Sequence, residues 1–142
     1  MYGALEISTS GMIAQRARIE AAAANIANAD TILDSSGKVN PYRARIVHFA
    51  AGDPTARTAE GKRMGVHVSK IELDKGGFNL KWDPDSPYAY TSGPNSGYVP
   101  MPNVNPVWEQ INAMEAARAY EANIMAAEAT KTMAAQALRL LA

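Results

Sequence analysis

Few side chains in this sequence are of a type and spacing that could do chemistry. Its two histidines, His48 and His67, sit in separate β-forming stretches, with no cysteine in the chain and no His-x-x-x-His spacing. A zinc site would need two more ligands from scattered carboxylates, so both are expected to be ordinary strand residues. Asp83-Pro84-Asp85-Ser86-Pro87 has the opening of a calcium loop, but Pro87 stands where a third oxygen ligand belongs and Tyr88 where the loop needs glycine. A Pro-bent turn is the better reading. Glu109, Glu115, Glu121 and Glu128 lie along one C-terminal stretch without a histidine, so the Glu-x-x-His pairs of a carboxylate-held metal bundle are missing. They are expected on a solvated or inter-subunit polar face. Arg16, Arg18, Arg118 and Arg139 are too few, and too well balanced by Glu, for a nucleic-acid stripe. No Gly-x-Ser-x-Gly, Walker-type or Gly-x-Gly-x-x-Gly run occurs. The expectation is no enzyme, no catalytic residue, no metal and no cofactor.

Composition narrows the class further. The 142 residues carry 14 basic and 14 acidic side chains, so nothing electrostatic selects nucleic acid or an anionic membrane as partner. That length suits one small domain, or a small module with long helical extensions. Without cysteine there is no disulfide framework and no thiolate nucleophile. There is no apolar run long enough for a transmembrane helix, and the start, Met1-Tyr2-Gly3-Ala4-Leu5-Glu6, lacks the basic and apolar regions of a secretory signal. Two Phe and two Trp against seven Met and abundant Ala favour closely packed helices over a thick core.

Three zones follow, at 1–30, 31–104 and 105–142. The first is Ala-rich and free of Pro, with Leu5, Met12, Ile19 and Ile26 at intervals of seven. That period holds one helix face against a partner in a left-handed coiled coil. Ser8, Ala22 and Ala29 fall three positions after three of these four, and small side chains allow helices to approach closely. Gly11 costs such a helix about 1 kcal/mol relative to Ala. The middle zone holds most of the Pro and Gly. Tyr42 to Phe49 and Val66-His67-Val68 read as strands. Ile71 and Leu73, then Phe78, Leu80 and Trp82, alternate about Lys75-Gly76-Gly77 and predict a hairpin, while 50–64 reads as a mobile loop. In the third zone Asn105-Pro106 predicts a capped helix running to Leu141, about 54 Å long. Its apolar face runs through Val107, Ile111, Met114 and Ala117, then Ala122, Met125, Ala129 and Met133; the first helix is its obvious partner, with neighbouring chains besides. The fold class expected is mainly α: long terminal helices forming a coiled-coil pair around a small β-rich insertion. No repeat of 20–50 residues suggests a solenoid.

Both helical zones carry a resemblance. Ile7-Ser8-Thr9-Ser10-Gly11-Met12, then Ala14-Gln15-Arg16 and Asn25-Ile26-Ala27-Asn28-Ala29-Asp30-Thr31, resemble the N-terminal signature of bacterial flagellar rod and hook proteins, and Pro41-Tyr42-Arg43 resembles the segment that follows it. Gly97-Tyr98-Val99-Pro100-Met101-Pro102-Asn103-Val104-Asn105-Pro106-Val107, with Glu109, Met114, Arg118-Ala119-Tyr120-Glu121-Ala122-Asn123 and Lys131-Thr132-Met133, is similar to the proximal-rod members of that family. Three positions depart from the usual pattern: Ala24 for Ser, Asn105 for Asp and Gln110 for Met. The resemblance implies a structural subunit exported through the flagellar type III apparatus and assembled into the basal-body rod across the periplasm. Other rod proteins, the basal adaptor protein and the membrane ring at the rod base are its implied partners, in homo- and hetero-oligomeric contact, with no nucleic acid and no small-molecule substrate. The terminal helices would form the inner layer, with the β-rich zone outside it. Leu5, Met12, Ile19, Asn25, Ile26, Asn28, Val107, Ile111, Met114, Arg118, Tyr120, Asn123 and Met125 are the candidate assembly residues. Among them Asn25 and Asn28 are expected to satisfy backbone groups near the end of the first helix. From another class, the alternative is a soluble helical adaptor that binds one partner and stops at a defined complex.

Overall fold

Asn105 starts the longest element of the chain. Its Oδ1 accepts hydrogen bonds from the backbone N–H groups of Val107 (3.1 Å) and Trp108 (3.4 Å), and Pro106 takes the first helical position. The helix that follows, α3, spans Pro106–Leu141. This computed structural model describes residues 2–141; Met1 and Ala142, which the outer sequence zones include, lie outside the described residues. In chain order the other elements are α1 (Tyr2–Ala27), β1 (Arg45–Ala51), α2 (Ala59–Met64), β2 (Val66–Leu73), β3 (Asn79–Trp82) and β4 (Tyr98–Met101). The architecture is the expected one, two long terminal helices bracketing a small β region.

α1 and α3 pack against each other and run antiparallel. Gly11 lies against Asn123, whereas further along α1 the Arg18 guanidinium donates to Asn112 (2.9 Å) and to Glu115 (3.1 Å). The covered face of α1 is built from small residues, among them Ser8, Gly11, Ala14, Ala21 and Ala22. On α3 the covered line is equally slight, with Ala116 completely buried. Thin faces bring two backbones close, and this contact, not a bulky apolar core, is the centre of the molecule.

The middle region holds two separate two-stranded sheets. β1 pairs antiparallel with β2, from Arg45 opposite Leu73 to Ala51 opposite Val66, with an irregularity between His48 and Phe49. β3 pairs antiparallel with β4, Asn79 opposite Met101 and Trp82 opposite Tyr98. The expected hairpin about Lys75-Gly76-Gly77 is therefore not formed: the strands on either side of it belong to different sheets. Arg43 redirects the chain there. Its guanidinium donates to the carbonyls of Asp74 (3.0 Å) and Gly76 (2.9 Å) and lies 4.3 Å from the centre of the Phe78 ring. The true connection between β3 and β4 is the long 83–97 loop, closed at Gly97, where φ is +83° and the Trp82 ring leaves no space for a Cβ. Trp82 then meets Tyr98 edge to face at 4.9 Å. Pro100 fits in β4 because a two-stranded sheet is all edge.

Residues 50–64 also differ from expectation. β1 continues to Ala51, and α2 replaces the expected mobile loop. Thr58 caps α2, its hydroxyl accepting from the Gly61 N–H at 3.1 Å.

Candidate assembly surface

Short polar side chains tie the middle region to α1, and their placement decides which faces stay free. Asn25 is 1% exposed. Its Oδ1 accepts from the Arg45 N–H (2.8 Å) and from the Tyr42 hydroxyl (3.0 Å), and its Nδ2 donates to the Arg45 carbonyl (3.0 Å). The amide thus replaces a neighbouring strand for the first residue of β1. Burial of the Tyr42 hydroxyl in this cluster raises its pKa above the ordinary phenolic value. Asn28 acts at the helix end, its Nδ2 donating to the Ala24 carbonyl at 2.9 Å. The expected role for the two asparagines therefore divides: Asn28 satisfies the helix terminus, and Asn25 satisfies a strand.

Near the other end of α1, the Glu6 carboxylate accepts from the backbone N–H groups of Arg57 (3.0 Å) and Thr58 (2.9 Å) and from the Thr58 hydroxyl. Ser10 adds an acceptor for the Val66 N–H at 3.1 Å. The Thr58 hydroxyl and N–H hold the Glu6 pKa below the usual carboxylate value, against the opposite pull of desolvation. A depressed folded-state pKa stabilises the fold above the unfolded value, near 4.5, and that contribution is lost as pH falls through the folded value. Glu6→Gln should lower the melting temperature at pH 7 and flatten its fall between pH 5 and pH 3. Parallel melting curves of both chains across that range would rule the clamp out.

Elsewhere on the surface, Glu72 is drawn down to about 2 by hydrogen bonds and charge from Lys70 (2.6 Å) and Lys75 (3.2 Å). His48 lies 3.6 Å from the same carboxylate on the paired strand. His67 contacts the Gly52 carbonyl through Nδ1. Among the described residues no group of three His, Asp or Glu is placed to hold a metal ion. Asp83 and Asp85 sit in the β3–β4 loop, which bends at Pro84 and Pro87.

The candidate assembly residues fall into three sets. Asn25 and Asn123 are turned into the chain's own contacts, Asn123 facing Gly11 and donating to the Ala119 carbonyl at 2.8 Å, and Tyr120 falls in the half-buried set. Leu5, Met12, Ile19, Ile26 and Asn28 are half-buried. Val107, Ile111, Met114, Arg118 and Met125 are exposed, Met125 to 69%. The expected pairing of the apolar α3 face with the first helix is thus corrected, because α1 lies on the other side. Bulky Met and Ile side chains would hold the two backbones apart; Ala116 and its small neighbours do not. The informative pattern was the alanine spacing, Ala113, Ala116, Ala127, Ala134 and Ala137, rather than the larger side chains. What remains outward is an uncovered apolar stripe along the whole of α3, with Trp108, Met133 and Leu140 also well exposed.

Both ends of the chain resemble known proteins. A family model described as "Flagella basal body rod protein" matches residues 5–32, and one described as "Flagellar basal body rod FlgEFG protein C-terminal" matches 95–140. The chain is 36% identical to a flagellar basal-body rod protein FlgC of Borreliella burgdorferi, over 99% of this chain and 97% of that one. It is 35% identical to FlgC of Bacillus subtilis (98% and 97% covered) and 37% identical to FlgC of Salmonella typhimurium (95% and 93%).

Proposed function

The chain belongs to the FlgC family of flagellar basal-body rod proteins, and from that premise we propose that its copies are non-enzymatic subunits that polymerise into the rod through their terminal helices. The observation that carries this is the uncovered apolar stripe of α3, where Met125 is 69% and Leu140 88% exposed and no other described part of the chain covers them. A stripe of that length matches another long helix, and a subunit that repeats supplies one at every step. Residues 1–30 and 105–142 form the inner helical layer, with 31–104 outside it. The chain reaches the rod through the flagellar type III export apparatus. Its neighbours there are other rod proteins, the basal adaptor protein and the membrane ring at the rod base; nucleic acid and small-molecule substrates have no part.

Met125→Glu separates assembly from folding. In a strain lacking its own copy, the variant should fold with an unchanged circular-dichroism spectrum and melting temperature, yet be missing from purified hook–basal bodies and leave cells non-motile. A variant that restores swimming would remove the stripe from the assembly. If the unsubstituted chain is recovered only in a soluble complex of fixed size, the adaptor reading replaces the rod.

A further inference from the structure

The outer edge of β1 is open and faces a cleft. Both backbone groups of Arg45 turn to Asn25, so they point away from β2. Successive residues of a strand alternate in the direction of these groups, so the N–H and carbonyl of Val47 point the same way as those of Arg45. The irregularity after His48 inserts its extra residue, Ser69, in β2, and the alternation along β1 runs on to Phe49. Gly52 agrees, since its N–H turns inward to the Gly65 carbonyl at 2.6 Å. Asn25 serves Arg45, but among the described residues nothing takes the same place beside Val47 and Phe49. β2 is not an equivalent edge. It carries Lys70 and the bulged Ser69, and Ser10 already occupies the Val66 N–H; lysines and bulges keep a sheet edge from pairing. β1 has no lysine, proline or extra residue.

The cleft beside this edge holds about 320 Å³ and is lined by Val47 and Phe49, by Ala21 and Ala22 of α1, and by Glu109 and Asn112 of α3. With two helices walling the rest of it, the place suits a single extended chain rather than the edge of another sheet. Its charges select the kind of chain. Two arginines and one glutamate line it. Arg18 is engaged by Asn112 and Glu115, whereas Arg45 is exposed and, among the described residues, has no carboxylate within 4 Å. We propose that β1 is a strand-addition site: an extended acidic peptide of a partner protein pairs with the open Val47–Phe49 edge and sets a carboxylate against the Arg45 guanidinium. Main-chain hydrogen bonds give such a contact its affinity, and alternate side chains give it selectivity. The site does not depend on the stripe of α3, nor on the rod reading.

The probe is the peptide Ac-Glu-Val-Thr-Val-Glu-NH2, which brings a carboxylate to Arg45 whichever way it runs, with Ac-Lys-Val-Thr-Val-Lys-NH2 as its opposite. Titrated into the isotope-labelled full chain, the acidic peptide should shift the Val47 and Phe49 amide resonances. It should also slow hydrogen exchange at Val47 about tenfold and leave Ile46, whose N–H faces β2, unchanged. Val47→Pro removes only an outward N–H, which an edge strand tolerates. Its circular-dichroism spectrum should stay native while peptide binding weakens about tenfold or more. Arg45→Glu keeps the backbone bonds to Asn25 and should reverse the preference between the two peptides; it decides the matter if the proline variant does not fold. Equal affinity for the two peptides overturns the acidic partner. Undiminished binding to Val47→Pro, shifts confined to residues outside the cleft, or no shift up to millimolar peptide overturns strand addition.

Discussion

Asn25→Ala should lower the free energy of unfolding by about 2–4 kcal/mol, since each buried backbone group left without a partner costs about 1–3 kcal/mol. The loss arises because one amide serves both the N–H and the carbonyl of Arg45 and also the Tyr42 hydroxyl. No nearby side chain replaces it, and with the Asn25 side chain itself 1% exposed, water must first open the contact between α1 and β1. Asn25→Asp sets a buried carboxylate oxygen against the Arg45 carbonyl, so at pH 7 it should cost at least as much as the alanine variant. Asn28→Ala, three residues on, removes one bond at a helix end and should cost about 1 kcal/mol or less. Urea unfolding of the three variants measures the order directly. Equal losses at positions 25 and 28 would mean that the strand contact contributes nothing beyond an ordinary helix-terminal bond.

At Gly11 the expected sign runs against helix propensity. An alanine in an open helix would gain about 1 kcal/mol over glycine. Here a Cβ would stand 2.7–2.9 Å from the amide atoms of Asn123, which is held by its bond to Ala119. Gly11→Val, with two further methyl groups, should cost about 2–3 kcal/mol by forcing the helices apart. Gly11→Ala should be destabilising alone and become stabilising, by up to about 1 kcal/mol, once Asn123→Ala has cleared the space. That reversal is the test. If Gly11→Ala has the same effect in both backgrounds, the glycine is not there for close approach.

What the sequence made legible was whatever depends on near neighbours. The Asn105-Pro106 cap is visible in two residues, and α3 begins where they place it. The small residues interleaved in the first helix likewise identified positions, Ser8 and Ala22, that are buried. Pairing was harder to read, because it is settled by residues far apart in the chain. The alternation about Gly76-Gly77 is real, but Arg43, more than thirty residues earlier, turns the chain so that each strand finds another partner. α2 was missed for a similar reason: six residues carry no period, and its cap at Thr58 is held by Glu6 from 52 residues away. In α3 the helix was evident and its faces were assigned the wrong way round, since large apolar side chains suggest a core more readily than alanines do. Of the candidate residues, the three whose side chains hydrogen-bond within the chain, Asn25, Asn28 and Asn123, are all asparagines. Residue type alone does not reveal whether such an amide will find its partner at home.

The antiparallel contact between α1 and α3 also constrains when the molecule can form. Arg18 bonds to Asn112 across 94 residues, and Gly11 meets Asn123 across more. Synthesis delivers the first helix early, but the Asn112 it bonds to is made 94 residues after Arg18. Until then the seam cannot close, and closing so long a loop is slow compared with forming a turn or a lone helix. A nascent chain thus keeps the small-residue face of α1 uncovered until α3 has been made.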